Sequence, residues 1–256
     1  MTAAATTRAA STGNLLATFG AAVAADLSLL ASLHGRELDA ETARSLRRMR
    51  FPLSLVIDAK GSETESVRTM LFEEICRWPS DFPATLRDEL AADYAAIYLN
   101  NYCNASPQES YWLDEDHLAW QAPMFAVREA YRSHGLEVRN WRIQADDHLT
   151  PQLEFVAWLL SDADADGRLA ETAAFLDEHL LLWLEDFATR VARRCETPFY
   201  AGLALLSWHY VDALRNILAE ILDTPRPDRE QTLQRLKRER STPEPVKFMP
   251  GVSESW

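Results

Sequence analysis

The chain has 256 residues, with 26 Lys plus Arg against 39 Asp plus Glu and a net charge of −13, a balance that repels nucleic-acid backbones and anionic lipid surfaces and excludes both as default partners. A chain of this length removes roughly 70 to 75% of its unfolded surface from water on folding, so one or two domains with a sizeable core are available. Cys76, Cys103 and Cys195 are odd in number and form no C-x-x-C pair, which suggests neither a disulfide framework nor a zinc site and fits a reducing cytoplasm.

Only eight glycines and long stretches of i, i+3, i+4 apolar spacing predict an all-α protein. The first helix covers 15–33. Arg8 followed by the apolar run Leu15 to Ala25 imitates a short signal peptide. Yet Leu15, Phe19, Val23, Leu27 and Leu30 carry one helical stripe past the apparent cleavage point, as a folded first helix requires. No run of 18 uncharged apolar residues occurs, so stable membrane insertion is not expected.

Helices follow at 39–49, 63–78 and 84–99. Ser62-x-x-Glu65 reads as a capping box opening the third. Tyr94 and Tyr98 lie on the fourth, at the edge of the core. The stretch Asn100 to Asp116 breaks the rhythm with Asn, Ser and Pro, and a helix at 121–134 then ends at Gly135, a C-terminal cap. Val138 to Asp147 forms a second connector. Asp146, Asp147 and His148 precede a helix at 149–161, where Asp147 can cap the helix start and nearby carboxylates are expected to keep His148 partly charged.

Asp162-x-Asp164-x-Asp166-Gly167 matches the first half of a calcium-binding loop, but the twelfth position, which should supply a bidentate carboxylate, is Ala173. An acidic helix connection is the favoured reading. Phe175, His179, Trp183 and Phe187 form a stripe on a predicted long helix at 168–195, with His179 read as a satisfied core histidine, and Phe199, Tyr200, Leu203, Leu206 and Tyr210 on a helix at 198–222 are expected to pack against it. A ninth helix covers 228–239. Residues 226–256 hold seven basic and five acidic residues, net +2, against 19 and 34, net −15, over residues 1–225.

Signatures of catalysis are missing. There is no Gly-x-x-x-x-Gly-Lys-Ser/Thr loop, no Gly-x-Gly-x-x-Gly turn, no His-Glu-x-x-His, and no Glu three residues before any histidine. The residue patterns thus single out no catalytic residue, no metal site and no cofactor.

Taken in order, Tyr94-x-x-Ile97-Tyr98, Pro107-x-Glu109-Ser110, Asp147-His148 with Gln152-Leu153-Glu154-Phe155, and Phe175 to Phe187 followed by Phe199-Tyr200 resemble the TorD/DmsD/NarJ-type redox-enzyme maturation chaperones. The likeness covers roughly residues 90–215. Gln144-Ala145 stands where the family carries Glu-Pro, removing a charge and a rigid turn.

The resemblance implies a TorD-like bundle of about nine helices in two sub-bundles joined by a hinge: an N-terminal sub-bundle (1–105), a loop, helix and hinge (106–147), a C-terminal sub-bundle (148–225) and a basic, Pro-containing extension (226–256). It also implies a cytoplasmic chaperone, a monomer or homodimer, that binds the twin-arginine leader and apo form of a molybdopterin oxidoreductase catalytic subunit, so that export waits for cofactor insertion. Tyr94, Tyr98, Glu109, Ser110, Asp147, His148 and Gln152 are the leader-binding residues in that reading. The alternative is a helical metal-binding sensor or enzyme using Asp162, Asp164 and Asp166.

Overall fold

A computed structural model describes residues 2–58, 61–114, 116–139, 144–163 and 167–241. Among these the chain is helical throughout, and its one β-type pairing is an isolated antiparallel bridge between Gln108 and His148. The helices are α1 (Thr2–Gly35), α2 (Ala40–Arg48), α3 (Ser62–Arg77), α4 (Ala84–Tyr94), α5 (Glu109–Leu113), α6 (Ala122–Ser133), α7 (Leu149–Leu160), α8 (Arg168–Glu178), α9 (Leu184–Arg194), α10 (Pro198–Leu222) and α11 (Arg229–Ser241).

Local chemistry accounts for most boundaries. Asp39 caps α2 by accepting from Thr42 N at 2.7 Å. Gly135, at φ 70°, closes α6, with its N–H donating to Arg132 O and Leu136 N donating to Tyr131 O. Pro198 opens α10 at a position whose N–H needs no partner. Asp93, a buried residue at the end of α4, accepts from Glu196 N, Thr197 N and Thr197 Oγ1 at 3.0, 2.6 and 2.6 Å. One carboxylate thus fastens the start of α10 to α4.

Three expectations need correction. α3 takes Gly61 as its N-cap, with Glu65 N donating to Gly61 O, so Ser62 stands one position inside the helix and not at the expected cap. The fourth helix gives way to a π turn at Ala95–Leu99. The long helix expected over 168–195 is broken: α8 stops at Glu178, a 3-10 turn covers Leu180–Leu182, and α9 starts at Leu184. Leu180, Leu181, Leu182, Trp183 and Leu184 are consecutive and all buried, and one straight helix cannot turn five successive side chains to the same core. His179 and Trp183 absorb the bend with φ/ψ of −128°/−88° and −141°/−21°.

α1 packs along α7, while α10 lies against α3, α8 and α9. The Leu15–Gly35 part of α1 is long and apolar enough to cross a membrane, with a mean hydropathy of 1.7. In this fold its Val23, Leu27, Leu30 and Ala31 are in the core, and its Asp26 accepts from Val56 N and Tyr210 OH, both at 2.7 Å. Gly20 sets the approach to α7, because a Cβ there would lie 2.4 Å from both Ala163 Cβ and Leu160 O. Gly20→Ala is therefore expected to push α1 off α7 and cost about 1 to 3 kcal/mol. A urea midpoint equal to that of the parent protein would show that the two helices do not close at this point.

Candidate functional site

The loop after the π turn and the connector before α7 are zipped together. Leu149 N donates to Pro107 O at 2.8 Å and Glu109 N donates to Asp147 O at 3.0 Å. Ser110 then donates to Asp147 Oδ2 twice, from its N–H at 2.7 Å and from its hydroxyl. Gln152 Nε2 donates to Glu109 Oε2 at 2.9 Å and to Asp147 O at 3.1 Å, and His179 Nδ1 lies 3.1 Å from both Glu109 oxygens. Glu109, Ser110, Asp147 and Gln152 are wholly buried, and His148 and His179 nearly so. Four of the seven expected site residues, Glu109, Ser110, Asp147 and Gln152, thus meet in one network that joins α5, the connector and α7, with His179 added from the bend after α8.

His148, and not Asp147, is the N-cap of α7. Its Nδ1 accepts from Thr150 N at 3.1 Å and faces Gln144 Nε2 at 3.2 Å, so the ring proton sits on Nε2. Burial pushes its pKa down to about 4, which overturns the expectation of a partly charged ring: at neutral pH the imidazole is neutral. Burial acts oppositely on Asp147, lifting it to about 6 against the lowering effect of the Ser110 hydroxyl and N–H. Asp147 Oδ1 and Gln152 Oε1 are buried without a hydrogen-bond partner among the described residues.

Tyr94 and Tyr98 belong to another cluster. Their rings are 4.8 Å apart and each lies within 6.2 Å of Tyr200. Tyr98 OH meets His34 Nδ1 at 2.6 Å, and His34 Nε2 meets Ser207 Oγ at 2.8 Å. Because Ser207 donates its own hydroxyl proton to Leu203 O, it accepts from His34 Nε2–H, leaving Nδ1 to accept from Tyr98. The chain Tyr98–His34–Ser207 ties the π turn to α1 and α10.

Beside the connector before α7 lies a cleft of about 390 Å³. Tyr131, Phe155 and Trp158 give it an aromatic wall, Leu136, Val138 and Pro151 add aliphatic surface, and Glu137, Arg139, Gln144 and Glu154 carry its polar groups. Arg168 backs the wall with its guanidinium 4.5 Å from the Trp158 ring, and itself reaches His134 Nδ1 at 3.1 Å and Glu171 Oε2 at 3.3 Å. Gln144 links the cleft to the start of α7 through His148. None of these lining residues is among the expected site residues, although Pro151, Glu154, Phe155 and Trp158 fall at i, i+3, i+4 and i+7 on α7, a face that spacing alone could have marked.

Asp164 and Asp166 of the acidic loop lie outside the described residues. Among the described residues no group of three or more His, Cys, Asp or Glu side chains is arranged to hold a metal ion.

The sequence model of the family described as nitrate reductase delta subunit matches residues 60–189, just over half of the chain, from α3 into the first half of α9. The chain belongs to this family. Within the wider TorD/NarJ group it is 32% identical over 142 residues to a protein named "Chaperone protein TorD" from Psychrobacter sp., covering 53% of this chain and 64% of that one. It is 27% identical over 191 residues to the Shewanella pealeana protein of the same name, covering 72% and 83% of the two chains. To the "Probable Tat proofreading chaperone DmsD" of Haemophilus influenzae it is 24% identical over 123 residues, covering 48% and 58%. The chain thus spans a little under two thirds of the length of the first of these relatives.

Proposed function

We propose that this protein is a chaperone, not an enzyme, that acts in the cytoplasm on the apo form of a molybdopterin oxidoreductase catalytic subunit and binds its twin-arginine leader in the cleft beside the hinge. The observation that carries the reading is the cleft's composition: an aromatic and aliphatic wall edged by Glu137 and Glu154, on a protein of net charge −13. A leader offers two adjacent arginines followed by an apolar segment. Planar guanidinium groups suit carboxylate and aromatic partners, and the apolar segment suits Leu136, Val138, Phe155 and Trp158. In this reading Glu109, Ser110, Asp147, His148 and Gln152 act from beneath, fixing Gln144 and the first turns of α7, while Tyr94 and Tyr98 hold the π turn against α1. Holding the leader would delay export until the cofactor is inserted. The names carried by the relatives, chaperone and proofreading chaperone, support this assignment.

Calorimetric titration of the purified protein with a leader peptide tests it. Replacing both leader arginines by Gln is expected to weaken binding about tenfold or more, the scale of one charge-assisted hydrogen bond at a half-exposed site. The Glu137→Gln/Glu154→Gln double variant should lose most of the salt dependence while keeping the apolar part of the affinity. Equal affinities for the two peptides, unaffected by salt, would remove the electrostatic half of the proposal, and an affinity left unchanged by Trp158→Ala would move the site away from the cleft.

A further inference from the structure

α9 carries Arg190, Arg193 and Arg194 at i, i+3 and i+4, so the three share one face of the helix. Arg193 and Arg194 are exposed and Arg190 is half-buried. Each guanidinium has five N–H donors. Arg190 spends one on Asn104 O and Arg194 one on Cys103 O, both at 3.1 Å, and Arg193 spends none on any described residue. Among the described residues none of the three forms an ion pair. Such a group of unneutralised cations is the reverse of its surroundings, which are net −15 over residues 1–225. The carbonyls at the end of α9 favour Arg193 and Arg194, but that preference fades within the last turn and leaves Arg190 unexplained.

Cys103 and Asn104 belong to the loop after the π turn, so the arginines lie against its exposed apolar groups. Leu99 is 67% exposed and Tyr102 82%. Asn101 and Asn104, at φ 52° and 46°, take the left-handed conformation that asparagine tolerates better than most side chains, and Asn100 Oδ1 accepts from Tyr102 N at 2.9 Å. The turn is thus held in the form that leaves Tyr102 exposed. Trp112 packs against Arg190, with the guanidinium 4.7 Å from the ring, and a guanidinium stacked in this way keeps its edge N–H groups for a planar acceptor.

Charge selects the occupant. Carboxylates match guanidinium forks, and Arg and Tyr are the residues that most often dominate contacts between proteins. The acidic part has to be short, because Glu185 and Asp186 line the same surface hollow as the arginines and repel a longer polyanion. We infer that this face of α9, with the loop after the π turn, is an interaction surface for a protein segment in which a short run of acidic residues adjoins an aromatic one. The surface shares no residue with the cleft beside the connector, so it stands or falls apart from where a leader binds.

The test is fluorescence anisotropy of the full chain with three dye-labelled probes: a capped Asp-Glu-Asp-Phe-Leu peptide, its Asn-Gln-Asn-Phe-Leu counterpart and a short single-stranded DNA. The acidic peptide should bind saturably, and the amide peptide at least about fivefold more weakly. Added salt should weaken the acidic peptide alone. Arg193→Glu breaks no contact with any described residue, so it should weaken the acidic peptide by about fivefold or more and leave the melting temperature near that of the parent protein. Tyr102→Ser, on the exposed turn, should weaken both peptides alike. The assignment is overturned if neither peptide saturates, if the two bind equally, if Arg193→Glu leaves the affinity for the acidic peptide unchanged, or if the DNA binds more tightly than the acidic peptide, which would make this face a site for phosphate chains.

Discussion

Replacing His34 by Gln is expected to spare the protein about 3 kcal/mol of the stability it loses between pH 6.5 and pH 4. His34 is completely buried, its Nε2–H is given to Ser207 and its Nδ1 accepts from Tyr98. A second proton would have to sit on Nδ1, facing the hydroxyl that now donates to it. Burial first, and the neighbouring His148 second, push the pKa down to about 3. The ordinary unfolded value is about 6.5, so the unfolded chain binds this proton and the folded one does not across that whole interval. The sign follows: the contribution is fully present above pH 6.5 and is lost as pH falls toward 3, at about 1.4 kcal/mol per pH unit.

His148, pushed down to about 4, adds a similar loss over most of the same window. Asp147 works the other way. Its pKa is raised to about 6, so its contribution is present below the unfolded carboxylate value and lost as pH rises through 6. Burial raises Asp26 and Asp177 in the same direction. Urea unfolding at pH 7, 6, 5 and 4.5 separates these effects as differences between variants. His34→Gln should flatten the profile by about one proton and Asp147→Asn should steepen it by about one between pH 4 and 6, whatever each costs at pH 7 through lost packing or hydrogen bonding. If the three profiles run parallel, the buried imidazole and carboxylate do not titrate as their surroundings require.

How much of this was legible in the sequence depends on where the cause lies. Helix positions were readable because their causes are local: Asp39 before α2, Gly135 after α6 and Pro198 at the start of α10 each act within a few residues. The break at His179–Trp183 was written there too, as five successive large apolar residues, but the stripe Phe175, His179, Trp183, Phe187 fits a continuous helix equally well. Only the position of the core decides between them. α5 was missed because it is five residues long, and its Ser110 N–H is satisfied by Asp147, 37 positions away. The role of Asp147 was misread for the same reason: a local rule gave it to the start of α7, and tertiary structure gives that place to His148. Ordered motifs brought Glu109, Ser110, Asp147, His148 and Gln152 to one site, while nothing along the chain announced that His34 would meet Tyr98 and Ser207.

The ion pair of Arg215 and Asp177 should give the largest stability effect of any single site, and the form of that effect is specific. The two side chains are 2% and 10% exposed, and the pair joins α10 to α8 through three contacts of 2.8 to 2.9 Å. Removing one partner strands the other in the interior, so Arg215→Met and Asp177→Leu are each expected to cost about 3 to 5 kcal/mol. Against a total stability of roughly 5 to 15 kcal/mol, either variant will be marginal at 37 °C and should be measured in the cold. The double variant should be more stable than the sum of the single losses, because replacing both charges by apolar groups of similar volume leaves no stranded ion. Acid supplies a second discriminating readout. In Arg215→Met the carboxyl of Asp177 loses the cation that lowers its pKa while burial continues to raise it, so this variant should regain stability, relative to the parent protein, as pH falls from 7 to 5. Additive single losses of less than about 1 kcal/mol, with no relative recovery in acid, would show that the pair is hydrated and contributes as little as a surface ion pair does.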